Sequence, residues 1–288
     1  YKGAMKTPKR IQPLVDDGLV DEVLSQLMSG KEATVYVVRC GEDIRCAKVY
    51  KDVAKRSFKQ AVEYTEGRKV RNSRRGRAME RRSKYGRKKQ EEAWQNAEVD
   101  ALYKLAAADV RVPTPYGCFD GVLLMELVTD DEGNVAPRLS EVELTEEQAL
   151  EDHALMMTYV VRMLGAGLVH GDLSEFNVLV DDYGPVVIDL PQAVNAAANS
   201  HAKAMLERDI NNMTSYYGQF APQLLGRLYA DELWELYEEG NLHPDTQLKG
   251  DFEASAEEAD VDSVILEIKA ALAEEEERQQ RAREADEL

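Results

Sequence analysis

One short stretch limits the fold more than any other: His170-Gly171-Asp172-Leu173-Ser174-Glu175-Phe176-Asn177, followed by Asp189 at the end of the apolar run Val186-Val187-Ile188. An acid, an amide five residues on and a second acid twelve residues beyond that can meet if two short strands, around 178–180 and 186–188, fold back on each other over the turn Asp181 to Pro185. In that arrangement Asp172 can accept or orient a proton. Asn177 and Asp189 can offer hard oxygen ligands of the kind magnesium prefers. Taken singly, each motif has an ordinary reading. A His-Gly-Asp is usually a turn, an acid ending a strand is usually a cap, and a lysine in a strand usually snorkels its head group to water.

What lifts them above those readings is a shared order with features upstream. Val20 to Met28, Ala33 to Arg39 and Ile44 to Tyr50 are rich in β-branched and aromatic residues and predict an antiparallel meander. Lys48 lies on the third of these strands in Ala47-Lys48-Val49. The turn Ser29-Gly30-Lys31-Glu32 joins the first two, where backbone amides can cradle phosphates. Glu98, on a helix predicted over 91–108, is the acid best placed to pair with Lys48, whereas Glu91 and Glu92 are read as solvated. Transfer of a phosphoryl group from ATP calls for these parts, because its transition state is stabilised by alignment and charge.

The rest of the chain organises around this core. Further strands are predicted at Tyr116 to Phe119 and Val122 to Glu126, with a loop at 128–138. Thr145-Glu146-Glu147-Gln148 then reads as a capping box opening a helix that ends near Leu164, before Gly165 and Gly167. Helices follow at about 200–217 and 222–239, and a charged helix at most from Val261. The expected fold class is α+β: an N-terminal lobe with an antiparallel sheet and one main helix, and a mostly helical, trimmed C-terminal lobe. The segments are an extension at 1–19, an N-lobe at 20–127, a C-lobe at 128–248 and an acidic tail at 249–288. Residues 1–4, ahead of Met5, are read as a tag remnant and given no structural weight. Arg162, Asp209 and Tyr216 are read as internal braces.

Charge is distributed unevenly. The 288 residues carry a formal net charge of -18, yet residues 66–90 hold twelve Lys/Arg against only Glu66 and Glu80, and the tail from Asp251 has fourteen acids against four bases. A basic segment of this kind can neutralise several phosphates of an RNA or ribosomal particle. Its structural alternative is a solvated loop, and with Tyr85 as its one aromatic it offers little for base stacking. Three cysteines, Cys40, Cys46 and Cys118, lack disulfide or zinc-ligand spacing, which fits a reducing cytoplasm. No apolar run reaches membrane-spanning length, and no membrane partner is expected.

At three places the sequence closely resembles the RIO family of atypical serine/threonine protein kinases: Ser29 to Tyr36, Val169 to Asn177, and Ile188-Asp189-Leu190-Pro191-Gln192. The basic insertion before the Glu98 helix looks like the type-one subgroup, and the likeness spans about residues 20–248. The resemblance implies a trimmed, bilobal, protein-kinase-like fold using ATP and magnesium. Lys48 and the turn Ser29, Gly30, Lys31 and Glu32 would contact ATP, with Glu98 as the partner of Lys48. Asp172 would be the proton acceptor, and Asn177 and Asp189 the metal ligands, Asp189 also able to take a phosphoryl group itself. Met125-Glu126-Leu127 would form the hinge beside adenine. It further implies serine phosphorylation, autophosphorylation or ATPase activity on a protein substrate. The chain departs from ordinary protein kinases in lacking Gly-x-Gly-x-x-Gly, Asp-Phe-Gly and Ala-Pro-Glu, and Pro191 stands where a small hydroxyl residue is expected. Two other functions compete: an ATPase-gated factor for ribosome or ribonucleoprotein assembly, and a small-molecule kinase of the aminoglycoside or choline type.

Overall fold

The computed structural model describes residues 3–51, 97–190, 193–251 and 261–286. The basic segment 66–90, Glu91, Glu92, Pro191 and Gln192 lie outside those residues. The chain divides into two compact units, Tyr1–Asp251 and Phe252–Leu288.

Within the first unit, β1 (Glu22–Ser29), β2 (Ala33–Cys40) and β3 (Asp43–Tyr50) form the expected meander, and β4 (Pro115–Phe119) and β5 (Val122–Glu126) complete a five-stranded antiparallel sheet in the order β1-β2-β3-β5-β4. Strand alternation explains how one sheet serves two purposes. Val38, Ala47, Val122 and Leu124 face one side and pack with Ile11, Leu14 and Val20. The extension before β1 therefore helps to cover the sheet's outer face through the short helix α1 (Gln12–Asp16), where Leu14 is buried. On the other face the register sets Lys48 between Val35 and Leu123. There Ala33, Tyr50 and Leu123 join Ala101, Leu102 and Leu105 from α2, a helix described over 97–107. A lysine on this face has nowhere to go but into the cleft.

The main core continues from α2 into the C-lobe. Its centre is α3 (Glu146–Gly165), opened by the predicted box: Thr145 Oγ1 accepts from the Gln148 N–H while the Gln148 side chain accepts from the Thr145 N–H. Two short ladders follow. β6 (Leu168–Val169) pairs with β9 (Val194–Asn195), which sequence periodicity does not disclose, and β7 (Val178–Asp181) pairs with β8 (Gly184–Val187) as expected. α4 (Ala202–Gly218) and α5 (Tyr229–Glu238) finish the lobe. α5 starts later than the predicted 222, because Pro222 opens a 3-10 turn and Gly226, with φ of +78°, turns the chain out of the helical region.

The second unit contains α6 (Val261–Asp286), whose described surface pairs, Arg278 with Glu275 and Arg281 with Glu277, are of the modest i,i+3 and i,i+4 kind. Among the described residues, no helix is long and apolar enough to cross a membrane.

Candidate active site

The cleft between the lobes is organised around one buried cation. Lys48 Nζ donates to Glu98 Oε1 at 2.8 Å and to Asp189 Oδ1 at 3.3 Å, joining β3, α2 and the segment after β8. The side chains of Lys48 and Glu98 are 9% and 3% exposed, whereas that of Asp189 is 46% exposed, so the inner pair is sealed and the outer acid faces solvent. Burial alone would lower the pKa of the Lys48 ammonium, but the two carboxylates outweigh it and raise the value. Burial raises the pKa of Glu98 against the opposing pull of Lys48. For Asp189, Lys48 outweighs desolvation, with help from His170 and Arg138, and lowers the pKa. The buried Glu98 Oε2 has no hydrogen-bond partner among the described residues.

Asp189 carries a further mark. Its φ of +65° lies in the left-handed region, which an aspartate tolerates better than most residues but which still costs energy. The β7–β8 hairpin imposes it: the Ile188 N–H donates to the Asn177 carbonyl at 3.0 Å, so Asp189 leaves the hairpin directly beside Asn177.

The loop from His170 to Asn177 is fixed from both ends. His170 Nδ1 accepts the Asp172 N–H at 3.1 Å, which leaves Nε2 as the protonated nitrogen, and Nε2 donates to the Ile188 carbonyl at 2.9 Å. The imidazole thus ties the loop to the strand bearing Asp189, a structural role. Gly171 sits at φ +89°, a conformation only glycine adopts freely. From below, buried Asp209 on α4 accepts the N–H groups of Gly171 (2.8 Å) and Leu173 (3.0 Å). Burial pushes the pKa of Asp209 up to about 6 despite those bonds. Arg208 donates to the Gly171 carbonyl at 2.6 Å and Asn212 to the Leu173 carbonyl at 3.2 Å. The Asn177 amide nitrogen donates to the Asp172 carbonyl at 2.6 Å and stands 3.4 Å from Asp172 Oδ2. With the nitrogen so engaged, the amide oxygen is the atom of Asn177 that could serve a cation.

The expected nucleotide contacts fall into two groups. At the turn between β1 and β2, the Gly30 N–H donates to the Ala33 carbonyl at 2.9 Å, and a Cβ placed on Gly30 would meet nothing nearer than that oxygen, at 3.8 Å. Lys31 is exposed and Glu32 half-buried. Lys51, which sequence reasoning passed over, donates to Ser29 Oγ (2.9 Å) and to the Gly30 carbonyl (2.5 Å), placing a second cation beside the turn. At the hinge, Glu126 turns away from the cleft. Arg111 donates to both of its oxygens (3.0 and 2.9 Å), and the Thr114 N–H and hydroxyl add to one of them. An adenine would therefore meet main chain at Met125 to Leu127 rather than that carboxylate. Arg111 also donates to Asp181 at 3.2 Å, linking the hinge to β7. No local pattern exposes this brace, because Arg111 and Asp181 stand 70 residues apart.

Asn177 and Asp189 supply the oxygen donors that a magnesium ion takes, and Lys48 faces the same acid, so the residues present fit a metal-bound nucleotide. Comparison with known proteins identifies the family. Residues 34–227 match the RIO domain. The chain is 36% identical over 212 residues to a RIO-type serine/threonine-protein kinase Rio1 of Haloferax volcanii, covering 72% of this chain and 67% of that one. It is 31% identical over 207 residues to the human serine/threonine-protein kinase RIO1, covering 69% of this chain but 34% of the human protein, about a third of its length. Among solved structures, it resembles the Rio2 kinase-ADP/Mg2+-phosphoaspartate complex from Chaetomium thermophilum, with a TM-score of 0.56 and 18% identity over 96% of this chain and 81% of that one, a likeness of fold. This membership favours the protein-kinase reading over the aminoglycoside or choline type. The chain belongs to the RIO family of atypical serine/threonine protein kinases, on its Rio1 branch.

Proposed function

We propose that the cleft binds ATP with magnesium and passes the γ-phosphoryl group to a hydroxyl or to Asp189 itself. The single observation that carries this reading is the meeting of Lys48 with both Glu98 and Asp189, 50 and 141 residues away, at the mouth of the cleft that also holds Asp172 and Asn177. Bound magnesium would neutralise the phosphate oxygens and be held by the Asn177 amide oxygen and the Asp189 carboxylate. Lys48, kept protonated by its two partners, binds phosphate, and Glu98 fixes its direction. Asp172, on a loop held rigid by Asp209, accepts the proton of a serine or threonine hydroxyl. In self-modification, an oxygen of Asp189 attacks the γ-phosphorus as the bond to the ADP oxygen breaks, leaving an acyl phosphate and ADP. The Ser29 to Glu32 turn lies over the phosphates, and Met125 to Leu127 beside the base.

Mass spectrometry after incubation with ATP and magnesium tests this. We expect a phosphoryl group on the chain, acid-labile if on Asp189 and acid-stable if on serine. A protein that binds ATP, acquires neither and transfers no label to an added serine-containing protein would overturn the reading.

We further propose a cytoplasmic location, in keeping with three free thiols that burial holds protonated, Cys46 with its pKa pushed up to about 12. Contact with RNA or a ribosomal particle is proposed for residues 66–90 on charge alone. Deleting residues 68–89 should abolish RNA binding and its salt dependence while sparing ATP binding. Unchanged RNA affinity would remove the assignment.

A further inference from the structure

The cleft has a cation that the reading above does not use. Arg138 lies past the hinge, in the segment whose backbone is tied to β7 through the Val180 N–H and the Pro137 carbonyl and through the bridge between Arg138 and Leu179. From there its guanidinium rises to the opposite lobe, where Nη2 lies 2.9 Å from the sulfur of Met28, the residue immediately before the Ser29 to Glu32 turn. The Glu141 carboxylate is engaged by the Arg138 main-chain N–H and leaves the side chain alone. Among the described residues, no carboxylate stands within ion-pair distance of this half-buried guanidinium, and its hydrogen-bond acceptor is a thioether. A thioether is a weak acceptor for a fork of five N–H donors.

An arginine in this condition differs from Lys48, Lys51 and Arg111. Lys48 has two carboxylates, Lys51 has the Ser29 hydroxyl and the Gly30 carbonyl, and Arg111 has Glu126 and Asp181. Their charge is committed to holding the cleft together. Arg138 instead reaches Met28 at the start of the Ser29 to Glu32 turn, and its charge also acts on Asp189. A planar guanidinium with unspent donors matches the paired oxygens of a phosphate.

We infer that Arg138 is a nucleotide-recognition residue, which exchanges the Met28 thioether for the phosphate chain of the bound nucleotide and so draws the two lobes onto it. The inference rests on the cleft being the nucleotide site. It distinguishes nucleotides by their phosphates: ADP and ATP should engage Arg138, and adenosine should not.

Displacement of a fluorescent ADP analogue from the full chain by ADP and by adenosine, in the presence of magnesium, tests it. Arg138→Ala is expected to weaken ADP roughly tenfold and leave adenosine unchanged, as for loss of one charged hydrogen bond. Arg138→Lys should recover part of the loss, and added salt should narrow the gap between the wild-type protein and Arg138→Ala. Met28→Ala should not weaken ADP, because the thioether is only the resting partner. Equal weakening of ADP and adenosine by Arg138→Ala, or a loss in Met28→Ala as large as that in Arg138→Ala, would make the contact a strut between lobes and overturn the inference. Lys48→Ala in the same assay separates the two levels of the account. If it weakens ADP while Arg138→Ala does not, the Arg138 assignment alone falls. If neither variant changes ADP binding, the cleft is not the nucleotide site.

Discussion

The two lobes bury their ionisable groups by opposite means. In the N-lobe, Lys48 and Glu98 are buried as a pair, and each charge is met by another 2.8 Å away. In the C-lobe, Asp209 and His153 are buried singly. Asp209 is served by backbone N–H groups, and His153 by the Thr214 hydroxyl at 3.0 Å, with Tyr229 against its ring. Burial drives the pKa of Asp209 up to about 6 and that of His153 down to about 4. A paired charge resists changes in pH but depends on its partner. A single buried group holds its surroundings without a partner charge but titrates under stress. In the function proposed above, Lys48 of the N-lobe meets the nucleotide together with Asn177 and Asp189 of the C-lobe, and the proton step falls to the C-lobe loop that Asp209 braces.

Substitutions can break this contrast, and the largest effect should come from Asp189, the acid proposed to hold magnesium. Asp189→Ala is expected to remove phosphotransfer by a factor on the order of a thousand or more, measured as label transferred from ATP. Next, Lys48→Ala leaves Glu98 buried without its cation. Denaturant unfolding should show a loss of about 3–5 kcal/mol, much of it restored by adding Glu98→Gln. A loss no larger than that of an exposed lysine would show that the pair is not sealed.

The C-lobe prediction concerns pH. The folded pKa of His153, about 4, lies below its ordinary 6.5, so its contribution is complete above pH 6.5 and is lost as pH falls through 4. Relative to the wild-type protein, His153→Gln should therefore gain about 3 kcal/mol between pH 6.5 and 4. Asp209 acts in the opposite sense over a similar range, since its folded pKa lies above its ordinary value and its contribution falls as pH rises through 6. Asp209 contributes equally to His153→Gln and to the wild-type protein, so the difference between them reports His153 alone. The smallest effect is expected at the brace behind the hinge: Arg111→Ala should cost about 1–2 kcal/mol, read as a lowered Tm, because the pair is only partly buried.

The same contrast explains what the sequence disclosed. The loop from His170 to Asn177 and the return to Asp189 are local, set by a five-residue interval and a hairpin, so their geometry is legible in the spacing. The strands and the Thr145 capping box were legible for the same reason. Glu98 could be singled out because a helix places it opposite a strand lysine, an inference about two elements rather than one. Asp209 could be read only as a brace, since nothing near residue 209 indicates which backbone it holds. The Arg111, Glu126 and Asp181 linkage and the Lys51 contact to Gly30 are products of tertiary closure, carried by residues that look like ordinary surface charges. The pairing of β6 with β9, two residues each, falls below any periodicity. Pro222 and Gly226 carried the signal that delays α5, and the apolar residues around them masked it.

The central claim, that Asp172 on its braced loop performs the proton step for a nucleotide held in the cleft, is tested most directly by single-turnover phosphotransfer. Asp172→Asn would be compared with the wild-type protein at saturating ATP and magnesium, with ADP affinity measured alongside. The account predicts a rate lowered on the order of a hundredfold or more with ADP affinity unchanged. A wild-type rate in Asp172→Asn would contradict it.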